Sequence, residues 1–115
     1  MLFLRKVLED LILDTSIRET YTIYGKKWTL KTLSSEEQLD ATASTKNYDN
    51  VSRIQAVKTA ILARAVVEYE GIELNKTDEN IEFLGKFPSV VIESLYIKQL
   101  ELQKKLDDSF KDLDK

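Results

Sequence analysis

Apolar residues recur along this chain with two different periods, and each change of period marks a change of element. Over residues 1–14, Leu4, Val7, Leu8, Leu11 and Ile12 fall at helical spacing on one face, and Leu2, Phe3 and Leu13 widen that face. A helix this short and apolar is marginal by itself and has to dock on something. Residues 1–16 therefore read as an N-terminal helical arm, packed either on its own core or on a neighbour. Over residues 20–33 the period drops to two, and Tyr, Thr, Ile and Trp enrich the segment as they do in strands. Gly25-Lys26 suits a two-residue type II′ turn, with glycine where φ must be positive. That turn pairs Tyr24 with Lys27, Ile23 with Trp28, Thr22 with Thr29 and Tyr21 with Leu30. Tyr21, Ile23, Trp28 and Leu30 then share one face of a β-hairpin, and Thr20, Thr22, Thr29 and Lys31 the other. A lone hairpin is barely stable, so its aromatic face must lie on helices or pair with another chain.

Helical spacing returns after Leu33. Ser34 or Ser35 can cap the next helix, Ser34 having the capping-box separation from Glu37; this predicts a short helix from about Ser35 to Ala43, followed by a polar loop over 44–49. Asp49 or Asn50 caps a central helix expected to run to about Glu70, with a buried stripe of Val51, Ile54, Val57 or Lys58, Ile61, Leu62, Ala65, Val66 and Tyr69. Gly71 stands where a left-handed C-cap belongs. Ile72 and Leu74 form a short extended piece, and another helix starts at Thr77 or Asp78. It breaks near Gly85 to Pro88, and Pro88 suits the first turn of a last helix reaching beyond Phe110. From Val90 to Leu102 that helix is apolar nearly all round, which predicts burial on several sides. Beyond Leu102 the pattern thins to Leu106, Phe110 and Leu113, a narrow stripe for a partner, for self-association or for folding back on the N-terminal helix. The fold class is thus mainly α with a small β-hairpin (α+β): one domain over 1–115, with the arm, the hairpin, a helical core over 34–102, and a projecting end of the long C-terminal helix over 103–115.

Composition narrows the chemistry. The chain has 115 residues, no His and no Cys, which excludes imidazole and thiol catalysis and the common zinc sites. Two acidic clusters, Asp78, Glu79 and Glu82, and Asp107, Asp108, Asp112 and Asp114, lack the glycine and spacing of a calcium loop and read as solvated helix faces. The three glycines are far apart, so no phosphate-cradling loop is present. Lys26-Lys27 reads as a soluble turn. Trp28 reads as core rather than a ligand platform, and Arg53 and Arg64 as partners of acidic neighbours or interface anchors. A net charge of −3 with intermixed signs does not favour nucleic acid. Arg5, Lys6, Glu9 and Asp10 interrupt the apolar N-terminus, no run approaches membrane-spanning length, and absent cysteine fits a reducing compartment. No catalytic, cofactor-binding or metal-binding residue is expected.

The order Trp28-Thr29-Leu30-Lys31-Thr32-Leu33-Ser34-Ser35-Glu36-Glu37, then Val51-Ser52-Arg53, Ile61-Leu62-Ala63-Arg64-Ala65-Val66, Gly71, and Phe83-Leu84-Gly85-Lys86-Phe87-Pro88 resembles the tail assembly chaperone and baseplate assembly group of tailed bacteriophages. The likeness spans about residues 20–100. It implies a non-enzymatic morphogenesis protein, with phage tail or baseplate proteins as partners, made in the host bacterial cytoplasm and either released or retained in the virion tail. It transfers no catalytic residue. Contact would run through helix docking and hairpin-edge pairing, with Leu2, Phe3, Trp28, Leu106, Phe110 and Leu113 as candidates. The rival expectations are a permanent adaptor or plug subunit of the virion and a small host-targeting regulator.

Overall fold

A computed structural model describes residues 16–113; the predicted helix over 1–14, with Leu2 and Phe3, lies outside the described residues. Strands β1 (Arg18–Ile23) and β2 (Lys26–Lys31) are followed by helices α1 (Ser35–Ala43) and α2 (Asn50–Ala65). Strands β3 (Val66–Tyr69) and β4 (Ile72–Glu73) come next, then α3 (Thr77–Leu84) and α4 (Ser89–Leu113). The fold is α+β, as the two periods predict, but its β part is a four-stranded antiparallel sheet in the order β1-β2-β3-β4 rather than a hairpin alone.

The hairpin forms with a different turn. Ile23 pairs with Lys26 and Tyr21 with Trp28, so Tyr24-Gly25 are the central residues. Their φ values, 50° and 79°, are both positive, the requirement of a type I′ turn, whose twist matches that of the flanking strands. The pairing therefore slips by two residues from the type II′ expectation. A slip of two keeps every side chain on its face, so Ile23, Trp28 and Leu30 are buried together as predicted.

The central helix is shorter than its periodicity suggests. It stops at Ala65, and Val66 enters β3 without a loop. Val66 and Val67 are β-branched and favour extended backbone, and β2 offers an unpaired edge on which Val66 to Tyr69 can bond. Glu70-Gly71 is then a second type I′ turn, with φ of 50° and 79°, and not a helix C-cap. No glycine closes α2. Instead the buried Asn80 of α3 donates from Nδ2 to the Ala63 carbonyl at 3.0 Å, satisfying one of the acceptors a helix end leaves open.

The caps read from the sequence form. Ser34 Oγ accepts from the Glu37 N–H at 3.2 Å while Glu37 Oε1 accepts from the Ser34 N–H at 3.1 Å. Asp49 Oδ1 accepts from the Ser52 N–H at 2.8 Å and starts α2. Pro88 directly precedes α4, its carbonyl accepting from Val91 and Ile92.

The core lies between the apolar face of the sheet and helices α2, α3 and α4. Trp28, Leu30, Leu62, Val66, Leu84, Ile92, Leu95 and Leu102 are almost wholly enclosed, and each such aliphatic side chain stabilises the fold by about 1.5–3 kcal/mol. At one end four rings close over it: Trp28 lies 4.5 Å from Tyr69 and 5.2 Å from Phe87, and Phe83 stands edge-on to Phe87 at 5.1 Å.

Candidate partner-docking surface

The long helix α4 was expected to be enclosed on several sides, and it is not. It buries one stripe, Ile92, Leu95, Gln99 and Leu102, while Val90, Ile97 and Leu100 stand about half exposed. The sheet is narrow and, among the described elements, α2 makes the main helical contact with α4, so this core does not cover a helix apolar all round. The N-terminal half of α2 departs from expectation in the same way. Val51 and Ile54, read as core from their spacing, are 84% and 65% exposed, because α2 enters the core only from Ala60 onward.

One of these surplus apolar residues, Ile54, lies in a groove between the two helices. Between α2 and α4 runs a shallow groove of about 380 Å³, lined by Ile54, Val57 and Tyr96 with Thr42, Asn50 and Arg53 at its sides. Lys58 closes one end, its ammonium 2.8 Å from Glu93 and 5.5 Å from the centre of the Tyr96 ring. Helical spacing extends the floor beyond the groove: Leu100 follows Tyr96 by one turn, Val51 precedes Ile54 by one turn, and Leu39 of α1 precedes Thr42 by one turn. Leu39 is 70% exposed. An apolar groove extended in this way, with Arg53, Lys58 and Asn50 beside it, is the kind of surface that receives another protein element, and its elongation suits an amphipathic helix.

Of the contact candidates named from sequence, Leu2 and Phe3 lie outside the described residues and the others sit elsewhere. Trp28 is only 1% exposed; α3 and Phe87 cover its face of the sheet, so it offers no surface to a partner. Leu106 and Phe110 continue the buried stripe of α4 beyond the sheet, Leu106 half-buried and Phe110 46% exposed, and the helix extends to Leu113. α4 stays tied to the body past Leu102: Gln103 accepts from the Leu33 N–H at 3.0 Å, and Lys105 pairs with Glu19. The α1–α2–α4 strip was not anticipated. Its signal was in the sequence all the same, as an excess of apolar positions on the last helix.

A second concavity, about 470 Å³, lies on the polar face of the sheet. Arg18, Lys31 and Arg64 line it together with Glu37, Glu68 and Glu73, so its charges cancel. Lys31 pairs with Glu37 at 3.3 Å, and Arg64 donates to the Ala60 carbonyl at 2.9 Å. Glu37 is held below the usual carboxylate range: burial pushes it up, but the Ser34 N–H and the Lys31 ammonium more than offset this. Such groups are spent on the fold and leave no seat of one sign for a charged ligand. Among the described residues no group of three or more Asp or Glu side chains is placed to hold a metal, and no helix is long and apolar enough to cross a membrane.

Compared with family models, curated proteins and solved structures, the chain matches none.

Proposed function

We propose that this chain is a non-enzymatic protein of phage tail or baseplate assembly that works by holding an apolar helical segment of a tail or baseplate protein. The observation that carries the docking half of this reading is the groove of Ile54, Val57 and Tyr96 between α2 and α4, which helical spacing extends to the exposed Leu39, Val51 and Leu100. Four of these six stand at least half exposed, far more than packing within the chain requires. The assembly half rests on the ordered pattern from Trp28 to Pro88, which resembles that phage group.

Mass spectrometry of purified phage particles and of immature tail intermediates tests the setting. Presence only in intermediates makes the protein an assembly chaperone, and fixed stoichiometry in mature particles makes it a structural subunit. Absence from both rejects the tail reading and favours a host target. Co-purification of tail proteins with an Ile54→Asp variant tests the surface. The variant is expected to lose the partner, whereas a Leu106→Asp/Phe110→Asp double variant that loses it instead would move the contact to the end of α4.

A further inference from the structure

Among the described residues the sheet has one long free edge: β1 pairs only with β2, and the opposite edge, β4, is two residues long. Ile17 donates to Thr32 Oγ1 at 3.0 Å, and its carbonyl accepts from the Thr32 N–H at 2.9 Å. Antiparallel pairs alternate between those that exchange hydrogen bonds and those that do not. Ile17, Glu19, Tyr21 and Ile23 therefore point their backbone groups toward β2. Arg18, Thr20 and Thr22 turn their N–H and C=O groups outward, with no backbone partner among the described residues. Proteins normally blunt such an edge with proline, a bulge or central charges. The centre of β1 is Thr20-Tyr21-Thr22, all strong strand formers; Thr20 and Thr22 are exposed, and the bulge in this sheet lies between β2 and β3.

We propose that this edge pairs with β1 of a second copy of the chain, antiparallel about a two-fold axis through Thr20, to give a continuous eight-stranded sheet. The register is what points to a copy rather than to an unrelated strand. With Thr20 opposite Thr20, Arg18 faces Thr22 at both ends, so every outward backbone group finds a partner, two hydrogen bonds per pair. The same register sets Glu19 opposite Tyr21, so no like charges face each other. A shift of two residues either way drops one of the outward pairs and sets Glu19 against Glu19 or Tyr21 against Tyr21. On the polar face the axis also prolongs an existing row, in which the Thr20 and Thr29 hydroxyls lie 2.8 Å apart and Thr29 donates to Glu68 at 3.3 Å. This pairing does not depend on the tail-assembly reading, and it uses a different surface from the α1–α2–α4 strip.

The test uses the full chain, whose lack of cysteine makes an engineered thiol unambiguous. A hydrogen-bonded antiparallel pair has Cα atoms about 5.5 Å apart, within disulfide reach. Mild oxidation of Thr20→Cys is expected to give a covalent dimer on a non-reducing gel, and oxidation of Thr22→Cys to give none. Light scattering on the unmodified chain is expected to give twice the 13.3 kDa chain mass. Thr20→Pro removes an outward N–H and leaves the β1–β2 bonds intact, so it is expected to return a folded monomer. A monomeric unmodified chain at every concentration, or equal cross-linking at both cysteine positions, overturns the proposal. So does a Thr20→Pro variant that remains a folded dimer.

Discussion

Two side chains on α2 separate folding from docking. Leu62 is 0% exposed and Ile54 is 65% exposed, two turns apart on the same helix. Leu62→Ala removes a wholly buried member of the core cluster, and such truncations cost about 2–5 kcal/mol. Typical domains have about 5–15 kcal/mol in total, so this change takes a large share of the stability. For Ile54 the arithmetic is different. Full burial of an isoleucine is worth about 1.5–3 kcal/mol, and only about a third of this residue is covered. Its packing therefore contributes about 0.5–1 kcal/mol, and the lower helix propensity of aspartate adds a few tenths to the cost of Ile54→Asp. Urea unfolding followed by the fluorescence of Trp28 provides the assay, because the chain has one tryptophan and it is 1% exposed. Ile54→Asp should lower stability by about 1 kcal/mol and Leu62→Ala by about 3 kcal/mol. Equal losses would falsify the claim that Ile54 belongs to an open surface, for it would then be packed as tightly as the core.

Three further outcomes follow from particular contacts. Glu37, Glu19 and Asp49 are all held below their ordinary carboxylate pKa, Glu37 because the upward push of burial is outweighed by Ser34 and Lys31, Glu19 by Lys105 and Tyr21, and Asp49 by the Ser52 N–H. Their stabilisation is present above the unfolded carboxylate range and is lost as pH falls through the folded values. Glu37→Gln, which keeps the capping acceptor but cannot titrate, should flatten the acid limb of a urea-midpoint against pH curve. Tyr21 is pushed up to about 12 by burial and by its bond to Glu19, so its contribution is complete below the ordinary phenol value and is lost as pH rises through about 12. Tyr21→Phe should remove that alkaline loss, and an unchanged alkaline limb would show that the phenol is not protected. Tyr24, 66% exposed with φ of 50°, occupies a backbone region that asparagine tolerates better, so Tyr24→Asn should raise the urea midpoint by the equivalent of about 0.5–1 kcal/mol. A lower midpoint would mean that the tyrosine ring packs across the turn.

How much of this could be read without coordinates depended on the range of the interaction involved. The capping box of Ser34 and Glu37, the Asp49 cap and the Pro88 boundary formed as expected, because each is settled by groups within four residues of one another; α3 also starts at Thr77 as expected, though without a side-chain cap. The division of hairpin residues between faces was equally legible. A two-residue period fixes the face whatever the turn, so Trp28 and Leu30 went inside although the pairing slipped by two.

The residues that misled were those whose state depends on distant chain. Val66 to Tyr69 continue a helical stripe and also make a good strand; the free edge of β2 decided between the two, and no local signal records that edge. The Tyr69-Glu70-Gly71-Ile72 turn has the same pair of positive φ values as the Ile23-Tyr24-Gly25-Lys26 turn, and the extended piece read at Ile72 and Leu74 was the hint of β4. The apolar positions Val51, Ile54, Ile97 and Leu100 show a helix face but not what covers it. Periodicity states which side chains point the same way, and only the tertiary arrangement determines where the core ends. By itself the sequence determined the α+β class, the helix starts and the composition of each face, all consequences of short-range sterics and hydrogen bonding. The tertiary structure decided the extent of the sheet, the end of the central helix and the location of the exposed strip, because these depend on which surfaces are left to pair once the core is full.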